Sequence, residues 1–367
     1  SKETNLSKPT VSSLVDELIV NKYLIDCGTV ASQQMGRRPN ELRVNGTENL
    51  VAVISWRRAR LDIALITADN KIAFRDQIPL TEEEDKVDKI TSTFFNIMKP
   101  KVGDRRIMGL CIIIPGIIDA ENKRILSTVI GVGYSDPVVQ RFEEAFHDYP
   151  FCLLNDTACF AYAEYVFANI TEPNFAYINV SKGVGACLFA NGKMLRGAGS
   201  NATQFGHFSV DRNGPLCACG NHGCVERVVG ENALTERAEA CGIDLTRFAG
   251  RKPLYCDIGA MAEDGDAHAK ELIKDLAVDL SFAISNLITL FNPSLVVIGG
   301  MGVNLGPFFL SNIRDEVQNS GFKEFVSNTW IQYSTLGLDS ELGGAARYYI
   351  DHYYDFFEQM QGGLYAD

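Results

Sequence analysis

Between Gly206 and Glu226 the run GHFSVDRNGPLCACGNHGCVE sets one histidine and three cysteines, His207, Cys217, Cys219 and Cys224, within eighteen residues. Gly214, Pro215, Gly220 and Gly223 punctuate the run, so the backbone can fold back and bring the four donors together. One imidazole and three thiolates make a closed tetrahedral shell, the arrangement that a structural zinc prefers. The same residues could instead be reduced core cysteines, or hold a disulfide between two of them. A turn-rich rather than apolar setting favours the metal. A closed shell stabilises a fold and performs no chemistry of its own.

These donors need a scaffold, and 367 residues suffice for two or three domains with large cores. Apolar residues make up 46% and charged residues 22%, an ordinary globular balance. No run of eighteen apolar residues is present, so no membrane span or membrane partner is expected. The opening SKETNLSKPT lacks the apolar core of a signal peptide. Of ten cysteines, Cys111, Cys152 and Cys187 lie inside apolar runs, which suits free thiols in a reducing cytoplasm. The net charge of −12 argues against nucleic-acid binding over the whole surface. Residues 1–47, however, carry six Lys/Arg against five acids, leaving −13 on the remaining 320 residues. The first segment is electrostatically a different object.

Within it, LSKPTVSSLVDELIVNKYLI reads as a helix, with Ser7 as N-cap and Pro9 in the first turn. Val11, Leu14, Val15, Leu18 and Ile19 recur at the spacing of one buried face. Lys8, Thr10, Ser12 and Ser13 lie near its start on the other faces, short polar groups suited to phosphates and base edges. Ser1–Thr4 is expected to end a preceding helix, with Asn5-Leu6 as the turn. Tyr23-Leu24-Ile25 and Glu41-Leu42-Arg43-Val44 alternate as two strands, joined by a loop containing Gly36-Arg37-Arg38-Pro39. Helix, turn, helix and a ribbon with a basic tip is the layout of a winged helix-turn-helix. The supporting first helix of such a module is absent. An amphipathic helix and hairpin that only pack on the main body would share the pattern.

From Leu50 the pattern changes. VAVIS (51–55), LDIALIT (61–67) and KIAFRDQIPL (71–80) read as strands, and an acidic helix follows over about 82–98. Ile107–Ile114 is a strand buried on both faces, ending at Pro115-Gly116. A helix near 136–147 precedes the strand FCLLN (151–155) and a helix over 157–168. The sequence then starts over: FAYINVS (175–181) and GACLFANGKML (185–195) form strands turning at Asn191-Gly192, with a long helix near 267–290 and the strand LVVIG (295–299). A last helix is expected over about 341–360. Two rounds of strands followed by strand–helix alternation predict two similar α/β lobes with a cleft between them. Ligands bind at the carboxyl ends of such strands. The expected domains are residues 1–47, then 48–170 with 345–367, then 171–344.

From about Val51 to Arg347 the chain resembles the ROK family of bacterial sugar-responsive repressors and sugar kinases. The most specific part is Gly206-His207 with the C-x-C-G-x-x-G-C-x-E run of 217–226. Pro115-Gly116, Asn155-Asp156, Asn191-Gly192-Lys193 and Gly299-Gly300-Met301-Gly302 also match. The resemblance implies a two-lobed, actin-like ATPase (ribonuclease H-like) α/β fold, and the N-terminal winged helix-turn-helix points to the repressor branch. It further implies zinc on His207, Cys217, Cys219 and Cys224, and a sugar pocket drawing on Gly116, Asn155, Asp156, Gln204, His207 and Glu226. Asp156 occupies the place of the family's catalytic base.

The departures separate repressor from kinase. A ROK kinase carries an Asp-x-Gly-Gly-Thr turn whose backbone N–H groups approach the ATP phosphates. Here Ser55-Trp56-Arg57-Arg58-Ala59 stands in its place, and Ser181-Lys182-Gly183-Val184-Gly185 replaces a Gly-Thr-Gly-rich second turn. Phosphoryl transfer reads as lost, leaving Asp156 as a vestigial base. Gln204 replaces the acid of the family's Glu-x-Gly-His motif, and Gly131 stands where an asparagine is usual. Glu to Gln turns an ionised acceptor into a mixed donor and acceptor, so the ligand differs or the pocket is weakened. Asp156 also suits a bare helix N-terminus.

The expectation is a repressor of carbohydrate-metabolism genes, a homodimer or homotetramer that binds operator DNA under the control of a sugar or sugar derivative. Lys8, Thr10, Ser12, Ser13, Arg37 and Arg38 are the expected DNA contacts. A sugar kinase using Arg57 and Arg58 at an atypical nucleotide site is the rival.

Overall fold

The computed structural model describes residues 6–29, 40–119, 122–128, 130, 136–197 and 202–354. Its first element, α1 (Lys8–Val20), starts where the capping chemistry places it. The Ser7 hydroxyl accepts the Thr10 N–H at 3.3 Å, and Pro9 sits in the first turn. The face of Val11, Leu14, Val15, Leu18 and Ile19 is half-buried throughout, and α1 buries no residue completely. β1 (Leu24–Thr29) and β2 (Asn40–Val44) then pair antiparallel, Leu24 opposite Val44. The loop holding Arg37 and Arg38 lies outside the described residues.

The next elements are β3 (Asn49–Trp56), β4 (Arg60–Thr67), β5 (Ile72–Pro79), α2 (Lys86–Thr93), β6 (Arg106–Ile114), β7 (Gly116–Asp119), β8 (Arg124–Thr128), α3 (Val138–Ala145), β9 (Phe151–Asn155) and α4 (Asp156–Phe167). The acidic helix expected from residue 82 begins only at Lys86. The Asp85 carboxylate accepts the N–H groups of Val87 and Asp88, which fixes the start there. It continues as a wider π turn over Phe94–Met98. The main sheet runs β5-β4-β3-β6-β9, antiparallel on one side and parallel from β3 onward. All residues of β3 are buried, as expected of a strand covered on both faces.

The second round repeats this order. β10 (Phe175–Val180), β11 (Val184–Ala190), β12 (Lys193–Met194), α5 (Val225–Val229), α6 (Glu231–Ala240), α7 (Tyr255–Glu263), α8 (Ala267–Phe291), β13 (Leu295–Gly299), α9 (Gly306–Asn319), α10 (Lys323–Val326) and β14 (Trp330–Tyr333) follow. The sheet order is β12-β11-β10-β13-β14, again three antiparallel strands and then two parallel. Asn191 and Gly192 both have positive φ, 53° and 73°, the backbone that a two-residue hairpin turn requires. Twelve residues of α8 are buried, most of them in the apolar core that includes β10 and β13.

The chain divides into two compact units, Ser1–Cys159 with Leu342–Asp367, and Phe160–Glu341. The divisions fall inside α4 and at the start of α11 (Ser340–His352), rather than at 170 and 344, and the N-terminal module groups with the first unit. α11 lies on β6. The Tyr349 hydroxyl donates to the Met108 carbonyl at 3.0 Å, and the Cys111 thiol faces the Ala345 carbonyl at 3.6 Å. A Cβ on Gly109 would fall inside van der Waals contact of the Tyr349 hydroxyl. Both groups are buried, so neither has room to give. Gly109→Ala is therefore expected to destabilise the chain by about 1–3 kcal/mol through overpacking, measured as a lower urea midpoint with an unchanged slope.

Candidate functional site

The cysteine-rich run is seated on the second sheet by a close backbone approach. A Cβ on Gly206 would collide with the Val184 carbonyl at the start of β11, so only glycine fits there. The short 3-10 turn Phe205–His207 places the histidine next to this contact. Ser209 bridges to Cys224 and Leu216 to His222, which folds the loop into a small antiparallel clasp. The Cys217 N–H donates to the Asn221 carbonyl at 2.8 Å, and the Gly220 N–H to the Cys217 carbonyl at 2.9 Å. Gly220 and Gly223, with φ of 89° and 59°, supply the left-handed corners.

The four donor atoms of His207, Cys217, Cys219 and Cys224 lie within 4.8 Å of one another. His207 Nδ1 is 3.5 Å from Cys217 Sγ, and Cys219 Sγ is 3.6 Å from Cys224 Sγ. Ligand atoms about 2.0–2.3 Å from a tetrahedral zinc sit roughly 3.5–3.8 Å apart, so the donor set fits that ion. The Nδ1 edge faces the thiols, and Nε2 is the imidazole atom left for other contacts.

Glu226 stands in the first turn of α5, two residues beyond the last cysteine. A Cβ on Gly183 would meet the Glu226 carboxylate, so this acid lies against the turn joining β10 to β11. In that turn the Ser181 hydroxyl donates to the Asn179 side chain at 2.9 Å and accepts the Met301 N–H at 3.2 Å. It thereby ties the ends of β10 and β13 together. Gln204 is exposed and lines an apolar groove of about 240 Å³, with Phe205, Phe208, Leu287 and Leu290 among its neighbours.

In the first unit, Asn155, Asp156 and Gly116 come together at the β9–α4 corner. Asn155 Oδ1 accepts the Ala158 N–H at 3.0 Å, capping α4, while its Nδ2 donates to the Gly116 carbonyl at 2.6 Å. Both ends of this amide are engaged by the fold itself. The half-buried Asp156 accepts the Thr157 N–H at 2.8 Å. Burial raises the pKa of its carboxyl, and the positive charge of Arg57 opposes that shift.

Arg57 and Arg58 lie in the turn between β3 and β4. Arg57 Nε is 3.4 Å from the buried Asp62 carboxylate. Arg60 holds the same carboxylate at 2.8 Å, and Gln77 donates to it at 2.8 Å. The turn is thus braced by side chains, and Arg58 alone of the pair is exposed. The electrostatic approach of Arg57 to Asp156 is not deducible from the sequence. The i, i+2 spacing of Arg60 and Asp62 on one face of a strand is a sign only of their own ion pair.

On α1, Lys8, Thr10, Ser12 and Ser13 are all exposed, and the Thr10 hydroxyl lies 2.7 Å from that of Ser7. Gly131 lies outside the described residues, as do Arg37 and Arg38. No helix among the described residues is long and apolar enough to cross a membrane.

Comparison with known proteins accounts for this combination. The xylose repressor of Bacillus subtilis (strain 168) is 26% identical over 363 residues, 97% of this chain and 91% of that protein. The N-acetylglucosamine repressor of Escherichia coli O157:H7 is 26% identical over 359 residues, covering 94% and 86%. Among solved structures, a ROK family transcriptional regulator, a homolog of the E. coli MLC protein, superposes with a TM-score of 0.81 at 24% identity, covering 95% of this chain and 89% of that one. The ROK hexokinase of Thermus thermophilus gives a TM-score of 0.66 at 22% identity, covering 82% and 98%. The fold is the actin-like α/β fold that these regulators and sugar kinases share. Residues 55–351 match the ROK family model, and the chain belongs to the ROK family.

Proposed function

We propose that this chain is a DNA-binding transcriptional repressor of sugar-metabolism genes whose operator affinity is set by a sugar or sugar derivative. The observation that carries the reading is the β3–β4 turn. Arg57 and Arg60 bracket Asp62 there, filling with side chains the place where a kinase presents bare backbone to phosphate. The exposed polar groups at the start of α1 and the β1–β2 ribbon give such a chain its DNA-reading element. The repressors it resembles, named for xylose and for N-acetylglucosamine, support a sugar as the effector.

Asp156, His207 through Nε2, and Glu226 are the groups we assign to sugar hydroxyls, with Asn155 and Gly116 shaping the corner that presents Asp156. An ionised carboxylate is a strong acceptor for a hydroxyl without any transfer chemistry. Zinc on His207, Cys217, Cys219 and Cys224 would hold the loop that carries His207 and Glu226. Reading two operator half-sites needs two recognition helices, hence a dimer. Val278, Phe282 and Leu290, exposed at four- and eight-residue spacing along α8, support an apolar surface for self-association. Ligand then shifts operator binding only by its differential affinity for the two states of that assembly.

A thermal-shift panel of hexoses, pentoses, N-acetylated sugars and their phosphates tests the effector. A cognate ligand at hundredfold excess over its Kd adds about 3 kcal/mol, and the same compound should alter retention of a promoter fragment in a salt-dependent manner. No shift with any sugar, alongside intact DNA binding, would reduce the chain to an unregulated DNA-binding protein.

Metal analysis should return one zinc per chain. Cys219→Ser should bring that close to zero and lower the melting temperature, because metal affinity is also folding stability. Substoichiometric metal in carefully purified wild type counts against the assignment.

Asp156 separates repressor from kinase. Its raised pKa means that the folded chain holds this proton more tightly than the unfolded one. Stability is accordingly lost as pH rises from the unfolded value of 3.8 through the folded one. Asp156→Asn should melt higher than wild type at pH 7, with the difference closing below pH 3.8. ADP release with any sugar that vanishes in the same variant would instead establish a kinase.

A further inference from the structure

The N-terminal module meets the rest of the first unit through buried groups that neither the metal nor the ligand reading uses. Among the described residues of 6–29 and 40–44, Tyr23 alone is buried, at 4% exposure. Its partner Tyr354, 331 positions away, lies just beyond α11 and is also buried. Their hydroxyls are 2.8 Å apart, and the rings meet edge to face at 6.3 Å. The Arg106 guanidinium, at the start of β6, lies 4.8 Å from the centre of the Tyr23 ring.

Backbone contacts close the same joint. The Asn45 N–H donates to the Tyr23 carbonyl at 2.8 Å, and the buried Asn49 side chain donates to the carbonyls of Lys22 and Asn45. On the far side Tyr354 packs against Tyr349, which is itself fixed to the Met108 carbonyl. Everything else in the described module is at least partly open to solvent. The direction in which α1 leaves the lobe therefore rests on this one buried cluster. A hydrogen bond between buried hydroxyls is directional, so it fixes the angle at which the two rings meet.

We propose that Tyr23 and Tyr354 form the positioning joint of the DNA-binding module, fixing the half-site spacing that the assembled repressor accepts without touching DNA. The inference rests on the repressor reading given above. The two tyrosines set geometry, whereas α1 supplies the contacts with each half-site. Tyr23→Phe with Tyr354→Phe keeps both rings and removes the hydroxyl pair together, along with the bond between Arg106 and the Tyr354 hydroxyl, and should preserve the fold. Tyr354→Phe alone removes the bond between the two hydroxyls and leaves the Tyr23 hydroxyl in place.

The test uses duplexes selected by the wild-type protein from a random-sequence pool. Binding is measured to the full site, to an isolated half-site, and to full sites with the spacer lengthened or shortened by one and two base pairs. The double variant is expected to melt within error of wild type and to bind the half-site unchanged. Its full-site affinity should fall by about tenfold, and its dependence on spacer length should flatten. Tyr354→Phe alone should show the same loss of spacer dependence. The proposal is overturned if the double variant keeps wild-type full-site affinity and spacer preference. It is equally overturned if half-site and full-site binding fall together, since that reports general loss of structure. Should wild type select no duplex at all, the repressor reading itself fails.

Discussion

The approach of Gly206 to the Val184 carbonyl is the contact on which the second unit's chemistry depends. Val184 opens β11 and pairs with Val180 of β10, so it belongs to the core sheet and does not yield. A loop that touches such a strand without a Cβ between them inherits its rigidity. His207 is the next residue, and its Nδ1 is thereby held toward Cys217. Seventeen residues later Cys224 returns to the same spot, its thiol facing the His207 carbonyl at 3.4 Å. Glu226 then starts α5 against Gly183. Donor cluster, turn and acid are thus positioned from a single backbone contact.

The first unit reaches a comparable rigidity through polar side chains. Asn155 joins the start of β7 to the first turn of α4, and Asp62 gathers Arg57, Arg60 and Gln77 at the β3–β4 turn. A phosphate cradle requires backbone N–H groups that a ligand can reach, with small residues around them. An arginine already attracted to a buried carboxylate is a different object: its charge is fixed, directed in part toward Asp156, and screened from added anions. The side chains at the β3–β4 turn thus leave Asp156 as an acid under the opposing charge of Arg57.

Much of this was legible in the sequence where one local rule governs one element. β9 and β13 coincide with the apolar runs FCLLN and LVVIG, since a strand buried on both faces has no polar residue until its end. α1 begins at Ser7 because the cap and the proline agree. The four metal-type donors were found from residue type and spacing alone, and they do converge. Legibility failed where two remote segments decide. The late start of α2 depends on which of four successive acids turns its carboxylate to the helix. Gln204 does stay beside His207, whose N–H its carbonyl accepts at 3.0 Å, but the apolar groove it lines against α8, a helix more than sixty residues away in the chain, has no sign in the local sequence.

The same reasoning explains why the module at the N-terminus had to be tied at Tyr23. A helix with only half-buried apolar residues and a two-stranded ribbon cannot bury enough surface to hold an orientation unaided. Generic apolar contact would seat such a module loosely, because hydrophobic attraction has no direction. A hydroxyl pair under a guanidinium does have direction, and it draws one partner from each end of the chain. Placing that partner immediately after α11 makes the module's attitude depend on a helix anchored to β6 through Tyr349. Any change in how α11 lies on that strand must then be felt at Tyr23, since Gly109 leaves Tyr349 no slack to absorb it.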